Sequence, residues 1–254
     1  MLTKDEAICL VLYLGDGRVS STTTLQKSLA RFLSFLVPLE FDFKLNKYGS
    51  YCYEIKEASN TEYYQIRSYD HGKAYEITEE GKQLALEAIN KLKSDLDMEE
   101  YNKLKEEIGS LAKMRAKDAS EDEHNKLLVD EDLRSKLIYR INNVHISLSD
   151  LYNEMKNKEP RNCAEIGLFG LIEYAYYLSK FLKEKRFRDI ENKGYDYDAD
   201  MRDYYFLWFL ERLIPLLQKS PDENSLDKLY ERLKRFAGDY PFSLDNPNLP
   251  DLIK

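Results

Sequence analysis

Ten residues between positions 44 and 73 have the types and spacing to hold a polyanion: Lys44, Lys47, Tyr48, Ser50, Tyr51, Tyr53, Lys56, Arg67, His71 and Lys73. Ammonium and guanidinium groups neutralise phosphates, and serine and tyrosine hydroxyls bond phosphate oxygens or base edges. Glu54, Glu57, Glu62 and Asp70 lie in the same stretch and oppose that field. The competing assignment is that the tyrosines pack under a hairpin while the lysines are ordinary solvated charges.

The elements that must position these residues are readable from caps and periodicity. Thr3 and Glu6 form a capping-box start for an apolar helix over about 4–14 that stops at Gly15. Val19 adds a short strand after the Asp16-Gly17 turn, and the Ser/Thr run 20–24 caps a second helix carrying Leu25, Leu29, Phe32, Leu33 and Leu36, ended by Pro38. Gly49-Ser50 reads as a turn and cap, so Tyr51 to Ala58 is expected to be a third helix that enters a DNA groove. Tyr63, Tyr64, Ile66 and Tyr69 make one strand and Ala74, Tyr75 and Ile77 the next, joined through Asp70-His71-Gly72-Lys73 as a wing. Thr78 then caps a return helix with Leu84, Ala85, Ala88, Ile89 and Leu92 as its inner stripe.

Leu25-Gln26-Lys27 followed about twenty residues later by Lys47-Tyr48-Gly49-Ser50-Tyr51 resembles the LQK…KYGPYS signature of a prokaryotic winged-helix family, the YwgA-like and Panacea (SocA-like) proteins. The resemblance covers roughly residues 1–93, with Ser50 in place of the usual proline. It implies a winged helix-turn-helix and a regulatory or toxin-neutralising role, and it implies no catalytic residues.

Beyond this region Asp97 with Glu100 starts a helix whose Tyr101, Leu104, Ile108 and Leu111 are spaced as a short coiled-coil seam, which points to two-fold pairing. Residues 117–125, acidic and without a large apolar side chain, read as a linker. From about 127 the pattern is helical. The apolar residues of a long helix beginning at Asn162 and Glu165 cover most of its circumference, so it must sit centrally in a bundle. A helix from Asp200 through Trp208 with a kink at Pro215, a last helix from about 220 to Gly238, and an extended proline-bearing tail complete the chain.

Enzyme chemistry is weakly represented. Arg140 and His145 bracket four residues, a spacing that resembles the Arg-x4-His motif of HEPN ribonucleases, in which paired protomers bring arginine and histidine together; a surface arginine and a half-buried histidine account for the same pattern. Asp196, Asp198 and Asp200 alternate as in a calcium loop, but Leu207 stands where the closing carboxylate belongs. His71, His124 and His145 are too dispersed for a metal triad, and no phosphate-binding glycine loop occurs. The aromatic residues Tyr174, Tyr177, Tyr204, Tyr205 and Trp208 have the composition of a ligand pocket, but core packing is the stronger explanation and no ligand is inferred.

A net charge of −8 with 43% apolar residues describes a folded chain, and its 254 residues suffice for two cores. Residues 1–93 hold 12 basic against 13 acidic residues, 94–150 hold 9 against 14, and 151–254 hold 17 against 19. The DNA-reading region is thus nearly neutral, which argues for a local basic face or a dimer if it grips phosphates. Three distant cysteines fit a reducing compartment, Met1 to Glu6 does not read as a signal peptide, and charges interrupt the apolar runs, so a cytoplasmic protein without a membrane span is expected. The fold expected is mainly α: a winged helix-turn-helix domain over 1–93, a helical connector and acidic linker over 94–126, and a helical domain with an extended tail over 127–254. The function expected is that of a dimeric DNA-binding regulator, transcriptional or antitoxin-like, with double-stranded DNA as partner and neither cofactor, metal nor catalytic residues. The alternatives are a protein-interaction adaptor built on a degenerate winged helix, and the HEPN-like ribonuclease.

Overall fold

A computed structural model describes residues 1–46, 49–70, 72–127, 133–158, 163–192, 197–219 and 222–237. They fall into two compact units, one holding the elements up to Leu127, the other α7, α8, the greater part of α9, and α10. Most of the described chain is helical, with a small antiparallel sheet, and no described helix is long and apolar enough to cross a membrane.

In the first unit, α1 (Lys4–Leu14) begins with the capping box foreseen: the Glu6 amide donates to Thr3 Oγ1 at 3.3 Å and the Thr3 amide to Glu6 Oε2 at 2.9 Å. Asp16 and Gly17, at φ 61° and 89°, turn the chain into β1 (Arg18–Val19). α2 (Thr22–Ala30) is capped by Ser21 and continues as a 3-10 helix over Arg31–Phe35, which Leu36 ends in the left-handed conformation. The single long helix expected up to Pro38 is therefore tightened in its last turns, where Phe32 and Phe35 enter the core.

β2 (Lys44–Asn46) pairs antiparallel with β3 (Gly49–Tyr51), and α3 (Tyr53–Lys56) is one turn long. Two expectations are corrected here. Gly49-Ser50 is strand rather than a helix cap, and the third helix is half the length anticipated because the chain from Gly49 to Tyr51 makes ladder hydrogen bonds instead. β4 (Tyr64–Tyr69) and β5 (Gly72–Ile77) form the expected hairpin, and β1 joins the other edge of β5, giving the order β1-β5-β4.

α4 (Glu79–Asp95) starts at Thr78, whose hydroxyl accepts from the Gly81 amide and donates to the Glu62 carbonyl at 2.6 Å. A Cβ at position 81 would lie 2.0 Å from the Tyr63 carbonyl oxygen, so only glycine lets α4 leave the hairpin at this angle. α5 (Met98–Ala112) buries Tyr101, Leu104 and Ile108 in the same core as Leu10, Val11, Leu25 and Leu29, and Leu111 is buried as well. The coiled-coil seam is thus used inside the unit, against α1 and α2. The acidic segment read as a linker is a helix, α6 (Ala116–Leu127), packed on α2 and β3.

The second unit contains α7 (Leu133–Lys156), α8 (Cys163–Asn192), α9 (Tyr197–Gln218, with Pro215 inside it) and α10 (Glu223–Ala237). α8 packs on both α7 and α10, the central position its apolar circumference requires. Along the α7–α8 contact the rings of Tyr152 and Tyr176 stack at 4.8 Å, Phe169 lies on the far side of Tyr152 at 5.9 Å, and His145 stacks on Tyr176 at 5.4 Å. Asp222 caps α10 by accepting from the Ser225 amide, which holds its carboxyl below the usual carboxylate range.

Candidate functional site

The motif Leu25-Gln26-Lys27 organises the first unit. Leu25 is fully buried in the core; Gln26 and Lys27 turn the opposite way and hold the chain after β2. Gln26 Nε2 donates to the Cys52 carbonyl at 2.8 Å, and Lys27 Nζ to the Ser50 carbonyl at 2.7 Å. The Lys27 ammonium also meets Glu123 Oε2 of α6 at 2.6 Å, with the two side chains only 3% and 2% exposed. The same carboxylate accepts from the Ser50 amide at 2.9 Å and, through Oε1, from the Ser50 hydroxyl. A buried charge is tolerated only when paired and hydrogen-bonded, and here one carboxylate satisfies a strand amide, a hydroxyl and an ammonium together.

One turn along α2, Arg31 repeats the device. Its guanidinium, 2% exposed, donates to Glu107 of α5 at 3.2 Å and to Asp122 of α6 at 2.7 Å. Two helices, α5 and α6, are thereby fixed to α2 and its 3-10 continuation, and the β2–β3 hairpin is fastened to α6.

Beside this polar seam lies an open cleft of about 660 Å³. Thr22 and Thr23 of α2, Tyr51 of β3 and Lys56 of α3 line one part of it; Gly72 and Lys73 of β5 with Lys117 and Ser120 of α6 line the rest. The walls are tied together: Thr22 Oγ1 and the Tyr75 hydroxyl lie 3.0 Å apart, Tyr75 reaches the Ile55 carbonyl, and Lys73 Nζ donates to the Lys56 carbonyl at 2.7 Å. Burial pushes the Tyr75 hydroxyl above its ordinary pKa, so it stays a neutral donor. Thr24 Oγ1 donates to the Met114 carbonyl, which brings the start of α6 beside the start of α2.

Of the residues expected to contact DNA, Tyr51, Lys56 and Lys73 meet at this cleft. Ser50 lines its floor but is fully buried and bonded to Glu123, so the contact role assigned to it is corrected to a structural one. Tyr53 is exposed, and Arg67 on β4 is exposed but paired with Glu76 at 2.7 Å. For Lys44 only the backbone is described, and Lys47, Tyr48 and His71 lie outside the described residues. Glu54 pairs with Lys4 at 3.0 Å, and Glu57, Glu62 and Asp70 are exposed nearby in the chain. Thr22, Thr23, Lys117 and Ser120 were not foreseen. The first two look like helix caps in sequence, and the last two belong to the segment read as linker.

Neither cysteine of this unit is reactive in character: burial pushes the Cys9 thiol up to about 12 and raises that of Cys52. No group of acids, histidines and cysteines suited to a metal occurs among the described residues.

Arg140 and His145, five residues apart on α7, point about 140° apart around the helix. Arg140 makes a bidentate pair with Glu211 of α9 at 2.7 and 2.6 Å, while His145 Nδ1 lies 3.1 Å from Ser179 Oγ of α8. Burial, with Lys183 and Lys180 nearby, holds the imidazole below its ordinary pKa. Within this chain the two residues serve different helix contacts and do not converge. Comparison of the whole chain with protein-family models, curated proteins and solved structures finds no match.

Proposed function

We propose that the first unit is a winged helix-turn-helix and that it binds duplex DNA through the face bearing the cleft. The order α1, β1, α2, α3, β4, β5 with β1 paired to β5 supports that fold, as does the resemblance carried by Leu25-Gln26-Lys27 and Gly49-Ser50-Tyr51. The observation that carries the DNA reading is that Tyr51, Lys56 and Lys73, from three elements, line one cleft together with Lys117. Fluorescence anisotropy of a labelled random duplex, titrated at several salt concentrations, tests it. Lys56→Ala and Lys73→Ala should each weaken binding regardless of sequence and flatten the log–log salt slope by about 1; an undetectable complex at low salt overturns the reading.

The regulatory role extends to a two-fold pair that would present two cleft faces to half-sites about one turn of DNA apart. Since the α5 seam is buried within the unit, such a pair forms through another surface, and mass in solution decides it.

A second reading, a protein-interaction adaptor, is favoured by the single turn of α3 and by the carboxylates around it: Glu54 engages Lys4 and Glu76 engages Arg67. Co-purification of a stoichiometric protein partner, with no DNA retention at low salt, selects it.

A further inference from the structure

We propose that the cleft between α2, α3, β5 and α6 is a phosphate seat, and that α6, outside the helix-turn-helix elements, supplies part of it through Lys117 and Ser120. The inference deepens the DNA reading by naming the chemical group the cleft takes and the extra helix that takes it.

The composition of the lining carries the argument. Acidic residues outnumber basic ones 46 to 38 in this chain, yet among the described residues the cleft is lined by Lys27, Lys56, Lys73 and Lys117 and by no aspartate or glutamate. The nearest buried carboxylate, Glu123, lies behind the lining with both oxygens engaged by Lys27 and Ser50, so its charge is compensated locally. Lys56, Lys73 and Lys117 come from separate elements and are left at the rim. Lys73 is held toward α3 by its bond to the Lys56 carbonyl, and Lys117 pairs with the solvated Glu121 at 3.6 Å, its one ion pair among the described residues, both of them more than 60% exposed. Such a surface pair is weak, so the Lys117 amine remains available to a stronger anion.

The lining also carries the hydroxyls of Thr23 and Ser120, which can donate to phosphate oxygens without adding negative charge, while Thr22 spends its proton on Tyr75. Ammonium–phosphate hydrogen bonds are charge-assisted and roughly twice as strong as neutral ones. The volume, about 660 Å³, lies within the range of small-ligand sites and admits a phosphodiester segment or a nucleotide-sized molecule. Both sources present the same group to the same amines.

The test uses the full chain, inorganic pyrophosphate as probe, and the labelled duplex as a second arm. Calorimetric titration with pyrophosphate should show saturable binding that Lys117→Ala weakens about tenfold, equivalent to one charge-assisted contact, and that Lys117→Arg largely restores. Lys117 is exposed and packs on nothing in the core, so the variant folds, and Lys82→Ala on α4 is the control for general positive field. If pyrophosphate also displaces the duplex, the seat takes backbone phosphates. Should pyrophosphate bind with this dependence while no duplex is retained at low salt, the seat stands for a small phosphorylated ligand and the DNA reading alone fails. Absence of saturable pyrophosphate binding, or equal weakening by Lys117→Ala and Lys82→Ala, overturns the proposal.

Discussion

The surroundings of α2 in the first unit and the α7–α8 contact in the second are packed with different materials. Around α2 the first unit buries charge: Lys27 with Glu123, and Arg31 with Glu107 and Asp122. Between α7 and α8 the second unit stacks rings, His145, Tyr176, Tyr152 and Phe169, and an ion pair joining α7 to α9, Arg140 with Glu211, keeps 21% and 31% of its side-chain surface in solvent. Apolar and aromatic contact is forgiving of small slides, whereas a buried carboxylate that must meet one ammonium and one strand amide admits a single register. The unit with the polar seam is also the one whose cleft must keep residues from four elements in line.

The sharpest break of this contrast is Lys27→Ala. It removes the buried ammonium that Glu123 meets at 2.6 Å and should cost about 3–5 kcal/mol, seen in urea unfolding and as early hydrogen exchange in α6. Replacing both partners by methionine should recover most of that loss if the pair specifies register more than it stabilises, and residual exchange in α6 of the double variant would measure the register contribution. In the other unit Tyr152→Ala removes the centre of the ring stack and should cost about 1–2 kcal/mol, near the value of one or two aromatic pairs. Arg140→Ala breaks a half-solvated pair and should cost about 1 kcal/mol or less; Trp208, the only tryptophan, reports both changes by its fluorescence.

The smallest effects separate the units by pH. His145 is held below its ordinary value of 6.5, chiefly by burial, so the unfolded chain binds that proton more readily. The stability this contributes is complete above 6.5 and declines as pH falls through the window below it, and His145→Gln should abolish that decline. Burial opposes the Glu6 charge, but Lys91 and Thr3 outweigh it and bring the carboxyl below its ordinary 4.5. Its contribution is present above 4.5 and is lost only as pH drops further, so α1 amides should stay protected from exchange after Trp208 has begun to respond. Simultaneous loss in both units would erase the distinction.

Much of the fold was legible because caps and alternation are local signals. Thr3 with Glu6, Thr78 and Asp97 cap as their spacing indicates, Ser21 of the run 20–24 caps α2, and the strands of 64–69 and 72–77 form on the two sides of the Asp70-His71-Gly72-Lys73 turn. Of the candidate site, Tyr51, Lys56 and Lys73 were legible as a group, since a hairpin and the turn before it are close in sequence. Ser50 was misjudged because a small polar residue beside a glycine reads equally as surface turn or buried strand. α6 was missed for a related reason: the buried positions among its described side chains are Ala119 and Glu123, one too small and the other too polar to register as a core stripe.

By itself the sequence determined where the capped helices α1, α2, α4 and α5 and the hairpin of 64–77 begin, since those signals depend on residues within a turn or two of one another. Only the tertiary structure decided that the α5 seam closes on α1 and α2, that Lys27 meets a carboxylate 96 positions away, and that Lys117 joins Lys56 and Lys73 at one cleft. A charge carries no mark of its partner along the chain; desolvation selects the partner once the helices pack, and burial then makes the pairing obligatory.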